Sequence, residues 1–215
     1  IQKTTFKYEI PYMLLITAVL LVMGMTGNEI TFIEGVILWI LFIAYLLYLY
    51  FLAKKGNDSG DEQSVKLYPV WKCLLFIVLG GVCVVIGSQL VVNGATTIAR
   101  ACGMSERFIG LTIVAFGTSL PELVTSVSAA RKGNAGIAIG NIVGSNIFNI
   151  LFVIGTVALI CPVPFESRFV IDTVVAILCG VLLWGGTIRH KELRKPCGVV
   201  MLLCYAAYFV YLAAM

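Results

Sequence analysis

Long apolar runs, separated by short polar segments, dominate this chain. Seven runs occur, with approximate limits 10–25, 30–53, 69–99, 106–130, 136–161, 168–187 and 197–215. A helix needs about 20 mainly apolar residues to cross the hydrocarbon core of a membrane. The runs are continuous and do not alternate, which favours helices over a β-barrel. The pattern therefore predicts an all-α membrane protein with seven transmembrane helices.

The composition agrees with a membrane location. Of the 215 residues, 60% are hydrophobic and 12% are charged. A soluble domain has roughly 25% charged residues. There are too few polar side chains to cover a globule of this size, so the apolar excess is not a soluble core.

The basic residues are distributed unequally between the two sides of the predicted membrane. If all seven runs span, Arg100, Arg107 and Arg168 lie on one side, and the other 12 of the 15 Lys and Arg residues lie on the opposite side. Basic residues of short loops accumulate on the cytoplasmic side. We therefore expect an integral protein of the plasma (inner) membrane, with the N-terminus of this segment in the cytoplasm and the C-terminus outside.

A single polar stretch divides the runs into two groups. Lys54–Lys66 is rich in Gly, Ser and Asp and has no apolar periodicity. We interpret 54–68 as a cytoplasmic linker between the two helices of 1–53 and the five helices of 69–215. Basic residues are dispersed through short loops and form no basic face, so a nucleic-acid partner is not expected.

Glu122 is a carboxylate well inside the fourth run. A charge at mid-membrane costs at least about 2.5 kcal/mol, so an unpaired, lipid-facing carboxylate is unfavourable. Glu122 must face the protein interior, a water-filled cavity or a cation. A protonated or hydrogen-bonded structural glutamate is the alternative.

The residues before Glu122 are oxygen-rich and break the helix. Thr118 and Ser119 precede it by four and three residues, which places their hydroxyls on the same helical face. Pro121 lacks an N–H group and its ring disfavours a helical bond to the carbonyl of Gly117. We expect that carbonyl to need a new partner, and a cation is a natural candidate. Hard cations such as Na⁺ and Ca²⁺ prefer an all-oxygen set of this kind.

The fifth run provides an opposite wall. Asn141, Ser145 and Asn149 are spaced by four and form one polar stripe. Gly140 and Gly144 form a small-xxx-small pair that permits close helix packing. Only a short loop joins the fourth and fifth runs, so the two helices should form an antiparallel hairpin with facing stripes. Interhelical hydrogen bonding is the alternative role for the stripe.

A specific motif emerges from these two runs. Gly110–Gly155, GLTIVAFGTSLPELVTSVSAARKGNAGIAIGNIVGSNIFNILFVIG, closely resembles the α-repeat of the calcium/cation antiporter superfamily, best known as sodium/calcium exchangers. The resemblance implies ten membrane helices in two five-helix repeats of inverted topology. The seven runs would be the last seven of these ten helices. Residues 1–53 would end the first half of the protein, and residues 69–215 would form the second repeat, with its α-motif at 110–155. The third run resembles the long helix that opens each repeat and slides during transport.

The same resemblance implies roles for individual residues. Glu122 resembles the central acidic ligand that Ca²⁺ and Na⁺ share. The other implied metal ligands are Thr118, Ser119, Ser145, Asn149 and the carbonyl of Ala115, which would line a Na⁺ site. Some family members carry Asp at the position of Asn149, so the number of Na⁺ ions and any role of K⁺ stay open.

The implied function is secondary active cation antiport, with sodium/calcium exchange by alternating access. Ca²⁺ and Na⁺ would be transported ions, and neither a cofactor nor an enzymatic activity is expected. We expect the lipid bilayer and a missing N-terminal repeat, with a second Glu, as partners of this chain.

Three other functions are considered. Ca²⁺/H⁺ or K⁺-dependent Na⁺/Ca²⁺ exchange is the nearest alternative, and a cation channel belongs to a different class. An intramembrane hydrolase would need a buried His or Lys beside Ser119 or Ser145, but His190, the only histidine, falls in a loop.

Overall fold

The structure is a computed structural model that describes residues 4–56, 69–104, 106–188, 193 and 195–214. Within these residues, six helices are long and apolar enough to cross a membrane. A seventh span results if two helices joined at a 50° bend, over Thr112–Thr118 and Leu120–Arg131, are counted as one. The prediction of a helical integral membrane protein is confirmed.

The element bounds follow the apolar runs closely. In chain order the helices and strands are α1 (Ile10–Gly27), β1 (Glu29–Ile30), α2 (Phe32–Gly56), α3 (Val70–Ala101), α4 (Glu106–Ile109), α5 (Ala115–Thr118), α6 (Leu120–Arg131), α7 (Ala135–Phe148), α8 (Gly155–Ile160), β2 (Val163–Pro164), α9 (Ser167–Ile188) and α10 (Lys195–Ala214). Three π-helical segments, Thr5–Glu9, Gly110–Val114 and Asn149–Ile154, continue these helices. Most of the predicted linker lies outside the described residues.

One apolar core holds α1, α2, α7 and α9 together. Ile10, Leu38, Val143 and Leu151 are fully buried in it, and Leu183 of α9 joins the same cluster. These positions come from five separate segments of the chain, so burial of their side chains fixes the helix arrangement. Between membrane helices, these contacts stabilise the arrangement through close van der Waals packing.

A short antiparallel ladder fixes which helix ends share a side. Glu29 pairs with Pro164 and Ile30 with Val163. The turn before β1 passes through Asn28, whose φ of 55° lies in the left-handed region that Asn tolerates. The ladder brings the C-terminal end of α1 next to that of α8, so these two helices end on the same side.

α2 packs closely on α8. A Cβ added at Gly35 would lie 3.0 Å from the Cβ of Ala158 and 3.1 Å from the carbonyl oxygen of Gly155. Trp39 donates from Nε1 to Thr156 Oγ1 at 3.2 Å across the same contact. The missing side chain of Gly35 therefore allows the two backbones to approach.

α3 lies at the edge of the described bundle. It contains 32 residues, and Ala99 is its one buried residue among those described. At 1.5 Å per residue it is about 48 Å long, which exceeds the roughly 30 Å of a hydrocarbon core. It contacts the rest of the chain at α5, close to the bend.

We expect Gly35→Leu to lower the free energy of unfolding by about 1–3 kcal/mol, because it overpacks the contact between α2 and α8. Gly80→Leu is the matched control, since nothing lies within 4 Å of a Cβ at Gly80. Denaturant unfolding in detergent measures both variants. Equal losses would contradict the packing of α2 on α8.

Candidate ion site

The fourth run is broken beside Glu122. α5 ends at Thr118, α6 begins at Leu120, and Ser119 joins them at the 50° bend. Pro121 occupies the first turn of α6, where its missing N–H group costs nothing. The predicted interruption of this helix is confirmed, and it places Glu122 in the first turn of α6.

The carbonyl released at the bend already has a protein partner. Ser88 of α3 donates its hydroxyl to the oxygen of Gly117 at 2.8 Å. A helix distant in sequence therefore supplies one partner for this oxygen, and the expected contact with a cation stays a prediction for its second lone pair. A Cβ at Gly117 would collide with a methyl group of Val92, so glycine is required for this close approach.

Two hydroxyl groups turn back onto one carbonyl just before the bend. Thr118 donates from Oγ1 to the oxygen of Ala115 at 2.9 Å, and Ser119 donates from Oγ to the same oxygen at 3.4 Å. Both side chains are exposed. Three of the predicted ligands are thus gathered around a single backbone oxygen.

α7 has two faces, and the sequence pattern explains both. Ile139, Val143 and Ile147 are spaced by four and are buried in the apolar core. Asn141 and Ser145 carry the same spacing but are offset by two residues, or roughly 200° around the helix. They face α6, and the predicted hairpin of facing helices is confirmed by their bonds to Glu122, Thr125 and Ser126.

Glu122 is half-buried, and its two carboxylate oxygens differ. Ser145 donates from Oγ to Oε1 at 3.1 Å. Oε2 is buried and has no hydrogen-bond partner within the part of the chain that the structure describes. A buried acceptor without a partner is unfavourable by about 1–3 kcal/mol, and by more when the group is charged.

Asn141 joins the two helices of the hairpin. Its Nδ2 lies 3.2 Å from the carbonyl oxygen of Glu122, 2.9 Å from Thr125 Oγ1 and 3.0 Å from Ser126 Oγ. The amide has two hydrogens, so these three acceptors share them. Of the two roles considered for Asn141, these contacts favour interhelical hydrogen bonding.

Asn149 lies one turn beyond Ser145, at the start of a π-helical segment. Its side chain is exposed and makes no hydrogen bond within the described residues. The six predicted ligands therefore fall into three parts: Glu122 with Ser145, the Ala115 carbonyl with Thr118 and Ser119, and Asn149. Among the described residues, no group of three or more His, Cys, Asp or Glu side chains could hold a metal ion.

Comparison with known proteins decides the family. The profile of the family described as Sodium/calcium exchanger protein matches residues 72–214, about two thirds of the chain. This chain belongs to the sodium/calcium exchanger protein family. The resemblance recognised in the α-motif is thereby confirmed.

Individual relatives agree with this assignment. The sodium/calcium exchanger MaX1 of Methanosarcina acetivorans is 38% identical over 142 residues, covering 66% of this chain and 41% of that protein. The inner membrane protein YrbG of Escherichia coli is 30% identical over 219 residues, covering 94% of this chain and 65% of the relative.

The fold is also that of a solved exchanger. The structure of the sodium/calcium exchanger from Methanococcus jannaschii superposes with a TM-score of 0.77 at 31% identity, and covers 98% of this chain and 65% of that one. The present chain therefore spans about two thirds of the length of this family member.

Sequence reasoning missed Asp172 and Glu9, which lie inside described helices that are long and apolar enough to cross a membrane. Asp172 lies five residues inside α9, where it accepts a hydrogen bond from the hydroxyl of Tyr208 at 2.7 Å. Glu9 is 9% exposed, within a helix that begins earlier than the predicted first run. For Asp172 the signal was present, since it falls inside the predicted run 168–187.

We expect Asn141→Ala to destabilise the hairpin by about 1–3 kcal/mol, because Ser126 and Thr125 lose a shared donor. Asn146→Ala is the matched control in the same helix, since Asn146 is exposed and bonds only the carbonyl of Ile142 in its own helix. Unfolding midpoints in detergent measure the difference. Equal effects would contradict the role of Asn141 as a link between α6 and α7.

Proposed function

We propose that this chain is part of a secondary active cation antiporter that exchanges Na⁺ for Ca²⁺ by alternating access. Glu122 is the central ligand of the transported ions. The observation that carries the proposal is the buried Oε2 of Glu122, which has no hydrogen-bond partner among the described residues. A carboxylate in this state is stabilised when a cation approaches it.

The surrounding groups have the chemistry of a hard-cation site. Ser145 holds one oxygen of Glu122, and the Ala115 carbonyl, Thr118, Ser119 and Asn149 supply neutral oxygen atoms nearby along the same two helices. Na⁺ and Ca²⁺ both prefer oxygen ligands. The neutral oxygen atoms replace the water molecules that the ion loses on binding, and the carboxylate neutralises positive charge of the ion.

Exchange follows from competition for negative charge. The inverted-repeat hypothesis gives the whole protein a second glutamate opposite Glu122. One Ca²⁺ would neutralise the two carboxylates, as would two Na⁺ ions, so the two cargoes exclude one another. The relatives named as sodium/calcium exchangers support this choice of ions.

The same proposal includes the organisation of the whole protein. It has ten helices in two inverted five-helix repeats and lies in the plasma membrane, with the N-terminal end of this chain facing the cytoplasm. α3 slides past the bend at Ser119 during the transition. Its contact with Gly117 through Ser88 and Val92 supports a coupling between α3 and the site.

We expect Glu122→Gln in the whole protein to reduce sodium-gradient-driven uptake of radioactive calcium into vesicles by more than about a hundredfold. The basis is the cost of about 3–5 kcal/mol for removing one partner of a buried charge pair. Ser145→Ala should give a smaller loss, because it removes one hydrogen bond and leaves the charge.

Glu34→Gln is the control for loss of a carboxylate elsewhere. Glu34 is bonded by the backbone and hydroxyl of Thr31, outside the proposed site, and its variant should transport normally. Normal uptake by Glu122→Gln would remove Glu122 from the site. Uptake that needs K⁺ or a proton gradient would show that the exchanged ions are not Na⁺ and Ca²⁺ alone. Conduction without a counter-ion would indicate a channel.

A further inference from the structure

The first two helices and the last two share a pattern at a constant spacing along the chain. In each pair of helices, the first has an acidic residue near its start, and the second contains a glycine and two tyrosines at matching positions. The matching positions, each separated by 163 residues, are Glu9 and Asp172, Gly35 and Gly198, Tyr45 and Tyr208, and Tyr48 and Tyr211.

The tyrosine pairs also have the same geometry. The ring centroids of Tyr45 and Tyr48 are 6.2 Å apart with an interplanar angle of 26°. Those of Tyr208 and Tyr211 are 6.3 Å apart with an angle of 27°. The shared spacing therefore corresponds to the same relative arrangement of the two tyrosine rings in both helices.

The two acids lie near opposite membrane faces. The ladder of β1 with β2 puts the end of α1 on the same side as the end of α8. α9 begins on that side, directly after β2, whereas α1 begins on the other. Asp172 and Glu9 are each in the first turns of their span, so each is close to a different face.

Asp172 lines a cavity that also reaches the candidate ion site. The cavity has a volume of about 500 Å³, and Ala115, Ser119 and Tyr208 are among its other lining residues. The Tyr208 hydroxyl holds one carboxylate oxygen of Asp172 at 2.7 Å. A fixed negative charge therefore shares a cavity with two of the proposed ligands of the transported ions.

Glu9 occupies the matching place in a second cavity. That cavity has a volume of about 280 Å³, and Tyr45 and Tyr48 contribute to its lining. Glu9 is about nine-tenths buried and has no hydrogen bond or ion pair within the described residues. Among the described residues, no donor or basic side chain therefore neutralises this carboxylate.

We propose that Asp172 recruits cations toward the ion site from the membrane face where α9 begins, and that Glu9, its counterpart in the repeated pattern, recruits cations at the opposite face. The inference rests on the proposed antiport function. Each carboxylate attracts Na⁺ or Ca²⁺ into its cavity, because a cleft of one charge sign with apolar walls concentrates counter-ions. Glu122 remains the ligand that binds the ion during transport, and neither of the two acids takes this role.

The experiment measures calcium flux by the whole protein in vesicles, with Ca²⁺ supplied from one face at a time. Asp172→Asn should raise the half-saturating Ca²⁺ concentration about tenfold from the face where α9 begins. Glu9→Gln should do so only from the opposite face. Maximal flux should be preserved in both variants, because Glu122 is unchanged.

A second measurement separates electrostatic attraction from a structural role. Raising inert salt should increase the half-saturating Ca²⁺ concentration of the unmodified protein, because salt screens the attraction between the carboxylate and a cation still approaching through water, and should change that of Asp172→Asn less. Tyr205→Phe is the control, since Tyr205 lines the same cavity but makes no bond to Asp172. If Asp172→Asn does not fold, Tyr208→Phe is the second variant: it frees the carboxylate from its donor and should lower the half-saturating Ca²⁺ concentration from the same face only.

Unchanged half-saturation in Asp172→Asn, or an equal change from both faces, would overturn the inference while leaving antiport at Glu122 intact. Normal flux in Glu122→Gln would instead overturn the proposed function. The two failures are therefore distinguishable.

Discussion

A carboxylate held inside an apolar helical bundle is the constraint around which this structure is organised. Among the described residues, Ser145 donates to one carboxylate oxygen of Glu122, and the other oxygen is buried without a partner. The bend at Ser119 and the link through Asn141 hold this arrangement in place from two directions. A site that were fully satisfied by protein groups would gain little from a cation, so the missing partner is the feature that matters for ion binding.

The scaffold supports the site through the two faces of α7. Its apolar face is anchored by Val143 and Ile147 in the core formed with α1, α2 and α9. Its polar face is thereby turned toward α6. Because protein interiors are close-packed, a shift of α7 would disturb both the core and the site, and the ligands of the hairpin are positioned by burial of residues that never contact an ion.

The helices at the edge of the bundle have a different relation to the site. α3 contacts the bend through Ser88 and Val92, and α10 holds Asp172 of α9 through Tyr208. Both helices are otherwise largely exposed in the described chain. The acid and tyrosine positions recur in the first two helices at a constant separation along the chain, but the hydrogen bond between Tyr208 and Asp172 has no counterpart at Glu9 among the described residues.

The sequence by itself determined the membrane helices, the break at Pro121, the antiparallel hairpin and the family, because these depend on local apolar length, on the geometry of proline and on a contiguous motif. Only the tertiary structure decided the partners. In the folded chain Ser88 donates to the Gly117 carbonyl, Asn141 links α6 to α7, and Tyr208 donates to Asp172. Each of these hydrogen bonds joins residues from different helices. The physical reason is that hydrophobic periodicity records which face of a helix is apolar, whereas a hydrogen bond between helices depends on their relative position, which packing of the whole core sets.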